Sequence, residues 1–257
     1  MTVYFIGAGP GAADLITLRG ARILERCTVC LYAGSLVPAE LLDLLPPEAE
    51  VIDTARMPLT EILSALARAH AAGHTVARLH SGDLAVYSAL TEQLRGLDEL
   101  GIRYELVPGV PAFSAAAASL GRELTVPGVG QSLLITRVST LSTDMPPGED
   151  LASLAASGVT LALHLAAHRT EQIVADLAPH YGGDCPTATV AFASRSDERI
   201  VRCRLDELPD RLAAEGITRT AVIFVGRVVE ADGQPDAVDS YLYSHARIAK
   251  LRGRADV

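Results

Sequence analysis

From Val3 to Leu120 the chain alternates short β-branched apolar runs with stretches of helical spacing, and the runs end in turns rich in glycine or proline. This alternation constrains the fold most, because strand, helix and strand in succession lead to a parallel sheet with helices on both faces. Strands are expected over 3–6, 28–32, 51–54, 75–79 and 102–107. Between them come helices over 15–26, with Thr17 as N-cap, 38–45, 59–72 and 86–100, with one more over 112–120. In 59–72, Ile62, Leu63, Leu66 and Ala69 share one side, and Gly73 and Gly101 stand where C-terminal glycines belong.

The composition shifts over 121–130, where Val126-Pro127-Gly128-Val129-Gly130 reads as a linker. A second series follows, with strands over 132–136, 160–165, 187–192, 199–204 and 221–229, helices over 151–156, 170–177 and 206–214, and a loose loop over 138–149. The expectation is two α/β domains, 1–120 and 131–230, joined by 121–130. Each would be a mostly parallel sheet flanked by helices. The polar tail 231–257 is expected as a loosely docked helix.

Apolar residues make up 49% of the 257 positions, yet aromatics only 4% and Trp none, which fits an Ala/Leu/Val interior between sheet and helices. A net charge of −9 argues against a life on nucleic acid, whose partners carry basic patches. No apolar run approaches the ~18 residues of a membrane span and no basic, apolar leader opens the chain, so a cytoplasmic protein is expected. Cys27 and Cys30 have the spacing of half a zinc or redox site, but the other half is missing, since Cys185 and Cys203 stand alone. Small buried hydrophobes fit all four. His164 and His168 straddle a strand end and cannot converge, so no metal site is expected.

Val76-Ala77-Arg78-Leu79-His80 runs as a buried strand into the tight turn Ser81-Gly82-Asp83, which places an acid and free backbone groups at a strand's carboxyl end, where open α/β sheets bind ligands. Asp83 could also simply cap a following helix. Gly7-Ala8-Gly9-Pro10-Gly11-Ala12 satisfies the loose dinucleotide pattern. Pro10, however, removes a donor from the loop, and the second strand ends in Cys30-Leu31-Tyr32-Ala33-Gly34 with no acid for a ribose. A nicotinamide site is therefore disfavoured.

Gly7-Ala8-Gly9-Pro10-Gly11, Gly82-Asp83 with Tyr87 four residues on, Val107-Pro108-Gly109-Val110, Val190-Ala191-Phe192-Ala193 and Thr220-Ala221-Val222-Ile223-Phe224-Val225-Gly226 together resemble, in order and spacing, the tetrapyrrole (corrin/porphyrin) methylase family. Leu84 and Ser88 depart from the usual proline and glycine. With Leu79-His80-Ser81-Gly82-Asp83-Leu84 and Gly121-Arg122-Glu123-Leu124-Thr125-Val126-Pro127, the chain looks like a branch that methylates a corrin precursor. The resemblance implies S-adenosylmethionine as cofactor, a tetrapyrrole as substrate, a cleft between two α/β domains, and a homodimer. By position, Pro10 would line the site from the first loop, Ser81, Gly82, Asp83 and Val86 would hold the methionine end, Tyr87 would be a further cofactor contact, and Ala112 and Phe113 would lie near the ribose. Leu165, Ala193 and Ala221 would close over the adenine.

A sulfonium methyl carries its own activation, so the protein must chiefly align it with a nucleophilic carbon at about 3 to 3.5 Å. Backbone-rich turns suit that task. The ring's carboxylates call for cations, and Arg122, Arg78 and Arg137 fall near expected strand ends or the linker, although any one of them could equally be a solvated surface residue. Asp83 and His80 are the candidates for a catalytic proton acceptor. The residues do not choose between them, and His80 could instead only pack.

Overall fold

The computed structural model describes residues 2–139, 144–230 and 236–252. Parts of two expectations, 140–143 in the loop and 231–235 with 253–257 in the tail, lie outside the described residues. The chain divides into two compact units, Met1–Ala115 with Phe192–Asp197, and Ala116–Ala191 with Glu198–Val257.

The first unit is built on β1 (Val3–Gly7), β2 (Val29–Tyr32), β3 (Glu50–Asp53), β4 (Val76–His80) and β5 (Tyr104–Val107). All are parallel, in the order β3-β2-β4-β1-β5, with Val3 beside Val76 on one flank and Tyr104 on the other. Side chains alternate across the sheet. Val3, Phe5, Val29, Leu31 and Val76 face α2 (Leu59–Ala71) and α3 (Thr91–Glu99) through Ile62, Leu66 and Leu97. Ile6, Cys30, Ala77 and Leu79 pack on the opposite side with Ile23 and Leu24 of α1 (Leu18–Leu24) and with Leu41. Thr17 caps α1 as expected, its hydroxyl accepting from Gly20 N at 3.2 Å. Residues 39–44 form a 3-10 helix in place of an α-helix.

One element differs. The helix expected from Val86 begins five residues later, at Thr91. Tyr87 and Ala89 sit at φ 52° and 51°, in the left-handed region that a helix cannot contain, and Asp83 Oδ1 accepts from Ala85 N at 2.8 Å to close a side-chain turn there.

In the second unit the strands are β6 (Leu133–Arg137), β7 (Thr160–His164), β8 (Pro186–Ala191), β9 (Arg199–Arg204) and β10 (Ala221–Val225), ordered β6-β7-β10-β8-β9. α4 (Ala112–Leu120) leads in, and α5 (Leu151–Ala155), α6 (Thr170–Tyr181) and α7 (Leu208–Ala214) follow. This sheet was expected to be mostly parallel, and it is mixed. Only β6 and β7 run parallel, whereas β7/β10, β10/β8 and β8/β9 are antiparallel. The stretch between β8 and β9 holds no helix, and a parallel return needs a crossover of a dozen residues or more. α8 (His245–Arg252) lies in the tail, and Val238 N ties that tail to Pro127 O at 2.9 Å.

Cys27, Cys30 and Cys185 are buried and free, and burial pushes their thiols up to about 11, 12 and 11. They act as apolar filling. Among the described residues no helix is long and apolar enough to cross a membrane.

Candidate active site

The carboxyl ends of β4, β1 and β5 lie side by side, and the turns that leave them are knitted together by backbone. Ala8 N donates to His80 O at 2.7 Å, Gly9 N to Gly82 O at 3.1 Å, and Gly82 N to Gly9 O at 2.7 Å. The β5 turn presses in so closely that a Cβ on Gly109 would collide with Gly82 O and stand 2.8 Å from Gly7 Cα. Only glycine allows these turns to meet.

Asp83 fastens the junction. Oδ1 takes the Ala85 N–H and Oδ2 takes the Gly109 N–H, each at 2.8 Å, so one carboxylate links the β4 turn to the β5 turn. No helix starts at this point for it to cap. The carboxylate positions backbone, and both oxygens already have donors.

The expected cofactor residues of the first unit gather around this junction. Pro10 belongs to the β1 turn. A Cβ on Gly82 would find only Ala112 N, 3.9 Å away, so space lies open in front of that residue beside the start of α4. The segment carrying Ala193 lies on the β1 turn, where Ser194 Oγ accepts from Ala12 N at 2.9 Å and Ala193 O lies against Gly11. Ser81 is exposed at the turn, while Val86 and Tyr87 follow on the irregular segment. Phe113 sits in the first turn of α4, partly exposed.

In the second unit Leu165 follows β7 and Ala221 opens β10. The antiparallel register pairs Ile223 with Leu163, and continued by two residues it sets Leu165 opposite Ala221, which pairs on its other side with Ala191. Leu165 and Thr220, the residue before Ala221, both have φ 52°, and Leu165 is 56% exposed. Left-handed non-glycine residues at one sheet end mark a surface whose shape is imposed by more than local preference.

The three arginines differ. Arg122 donates to Glu230 O, and Arg137 donates to Val138 O at 3.1 Å and Asp144 O at 3.2 Å, all within the second unit. Arg78 is in the first unit, inside β4 and 4% exposed. Its Nε donates to Gln93 Oε1 at 3.0 Å and its Nη1 to Thr54 Oγ1 at 2.9 Å. Burial lowers its pKa to about 10, which leaves it a cation at neutral pH.

His80 is 6% exposed on the same face of β4. Its Nδ1 lies 2.9 Å from Ser88 O, and a carbonyl can only accept, so Nδ1 carries the proton. Burial first, and then the Arg78 charge, pull the imidazole down to about 4, so it is neutral at pH 7. Thr54, Gln93 and Ser194 are structural partners that sequence reasoning missed, since each lies far along the chain from the residue it holds. Among the described residues no three His, Cys, Asp or Glu side chains gather in a metal-binding group.

A junction of backbone groups with open space before Gly82 can seat and align a ligand. The family model described as Tetrapyrrole (Corrin/Porphyrin) Methylases matches residues 2–209. The chain is 62% identical over 247 residues, 96% of its length and 98% of the relative's, to a precorrin-4 C(11)-methyltransferase of Rhodococcus erythropolis. Among solved structures, a cobalt precorrin-4 methyltransferase superposes with a TM-score of 0.87 at 37% identity, covering 90% of this chain and 96% of the other. The Thermus thermophilus uroporphyrin-III C-methyltransferase in complex with S-adenosylhomocysteine gives 0.73 at 31% identity, over 92% and 99%.

Proposed function

This chain belongs to the tetrapyrrole (corrin/porphyrin) methylase family, and from that premise we propose that it transfers a methyl group from S-adenosylmethionine to C-11 of precorrin-4, giving precorrin-5 in cobalamin biosynthesis. The observation that carries the substrate is the 62% identity, over nearly all of both chains, to the precorrin-4 enzyme of R. erythropolis. The cobalt-ring enzymes stand at 37% to 41%, which favours the metal-free ring. The same reading includes a cytoplasmic homodimer, for which a sedimentation mass near two chains is expected and a mass near one chain would count against.

The donor supplies a sulfonium methyl that needs alignment more than activation. The chain's part is to present fixed backbone groups. Ser81, Gly82, Asp83 and Val86 are proposed for the methionine end, Pro10 for the wall formed by the first loop, Tyr87 as a further cofactor contact, and Ala112 and Phe113 for the surroundings of the ribose. The open space before Gly82, bounded by Ala112 N, fits a ligand chain lying against backbone. Leu165, Ala193 and Ala221 are proposed as apolar contacts of the adenine. Asp83 acts through the loops it joins and keeps their N–H groups in place. That makes it a positioning residue.

Anaerobic incubation with precorrin-4 and methyl-labelled S-adenosylmethionine tests the reading. One labelled methyl at C-11 is expected. No transfer to precorrin-4 but transfer to its cobalt complex would move the substrate to the metal-containing ring. Retention of a nicotinamide dinucleotide with no affinity for S-adenosylhomocysteine would overturn methyl transfer.

A further inference from the structure

Strand β4 is buried along its whole length, yet two of its five residues are polar, and strand alternation points both the same way. Arg78 and His80 share the side of Val76, which faces α2 and α3, while Ala77 and Leu79 face the other core. Polar side chains in core positions persist only where they have a task. These two line a pocket of about 300 Å³ within the first unit, bounded also by Leu59 and Ile62 of α2, Glu92 and Gln93 of α3, and Ser81 and Tyr87 of the β4 turn.

The Arg78 guanidinium is held as if for a ligand. Gln93, which accepts from Nε, is itself anchored by Nε2 donating to Ala89 O at 2.8 Å, and Thr54, which accepts from Nη1, donates to Tyr32 O at 2.8 Å. Both partners are neutral, and among the described residues no carboxylate lies within ion-pair distance of Arg78. A buried cation without a counter-charge is costly. A side chain fixed by anchored neighbours is what a preorganised binding group requires. Beside it, His80 Nε2 is buried with no hydrogen-bond partner, and the Ser88 carbonyl fixes the tautomer so that this atom is a lone-pair acceptor.

We propose that this pocket seats one edge of the tetrapyrrole ring, with a side-chain carboxylate on Arg78 and a ring N–H donating to His80 Nε2. The inference rests on the methyltransferase reading and deepens it. Two adjacent positions on one strand face are ~7 Å apart between Cα atoms, a span on the scale of one pyrrole unit with its acid arm. The lining selects the ligand class. Arg78 offers one cation, Glu92 adds a carboxylate to the lining and His80 offers an acceptor, so the pocket suits a group bearing one carboxylate and an N–H and opposes a compact polyanion such as phosphate. Ser81 and Tyr87 belong to both this pocket and the turn assigned to the methyl donor, so ring and donor would share a wall.

The test uses the full chain, with steady-state kinetics on precorrin-4 and fluorescence titration with uroporphyrin I as a second acidic tetrapyrrole. Arg78→Gln should raise the precorrin-4 KM at least tenfold with kcat changed less than threefold, and weaken uroporphyrin binding to a similar degree. His80→Phe should raise KM about fivefold, while His80→Gln, which keeps an acceptor near Nε2, should recover most of that loss. Calorimetric affinity for S-adenosylhomocysteine should stay within twofold throughout, which reports an intact fold. If Arg78→Gln does not fold, Thr54→Val, which only frees the guanidinium, should raise KM about threefold. Inorganic phosphate at 10 mM should not displace uroporphyrin from the wild-type chain, and displacement would contradict the pocket's selectivity.

An active wild type whose KM is unmoved by Arg78→Gln and His80→Phe overturns this pocket and leaves the methyltransferase reading intact. A wild type inactive on precorrin-4 that still binds uroporphyrin through Arg78 overturns the substrate and keeps the pocket. Neither turnover nor tetrapyrrole binding overturns both.

Discussion

Two neighbouring regions of the first unit are built on opposite principles. At the junction of the β1, β4 and β5 turns, residue identity follows backbone geometry, through glycines with no room for a Cβ and one aspartate that bonds only main-chain N–H groups. In the pocket beneath α2 and α3, backbone is ordinary strand, and the chemistry comes from side chains, a buried guanidinium and a buried neutral imidazole. The contrast teaches that an enzyme with an activated donor can hold that donor by shape. On the proposed reading, recognition of the acceptor ring then falls to charge and hydrogen bonds.

The largest expected effect strikes the junction. Gly109→Ala places a methyl into Gly82 O and Gly7 Cα, where neither neighbour can yield without moving a strand end. A loss of about 3 kcal/mol or more in urea unfolding is expected, together with loss of S-adenosylhomocysteine binding. An alanine tolerated here would break the claim that shape rules the junction. Next, Asp83→Asn leaves one acceptor for two backbone donors and should cost about 2 kcal/mol, read in the same unfolding experiment.

The pocket should answer to pH through His80. His80 titrates near 4 when folded and near 6.5 when unfolded, so between those values the unfolded chain binds more protons. Its contribution is complete above pH 6.5 and is lost as pH falls toward 4, by an amount on the order of 1–3 kcal/mol. His164, which burial also lowers to about 4, adds a slope of the same sign. His80→Gln should flatten the pH dependence of stability in that window by roughly half, and an unchanged slope would remove His80 from it. The smallest effect belongs outside both regions. Arg204 and Asp206 form an exposed pair at 2.7 Å, and Asp206→Asn should leave Tm unchanged within error.

How much of this was legible in the sequence follows the same division. The parallel first sheet could be read because each strand ends in its own turn and each helix carries its own apolar stripe, and both signals are local. Thr17 as a cap was legible for the same reason. The second sheet misled, because the strand signals of β8 and β9 say nothing of direction. The absence of a helix between them was the available clue. The late start of α3 was hidden, since left-handed Tyr87 and Ala89 carry no glycine to announce them. At the site, the alternation of a strand over 76–80 is local enough to put Arg78 and His80 on one face, although the sequence reading did not draw it. The hydroxyl of Thr54 and the amide of Gln93, which turn that arginine into a fixed donor, come from 24 and 15 residues away and became visible only in three dimensions.

The most direct test of the division of labour sets Asp83→Asn against Arg78→Gln, measuring for each the calorimetric affinity for S-adenosylhomocysteine. A tenfold or greater weakening in Asp83→Asn, with Arg78→Gln within twofold of wild type, is the expected result. Equal weakening in both variants, or none in Asp83→Asn, would contradict the account, because donor binding would then not depend on the backbone junction that Asp83 fastens.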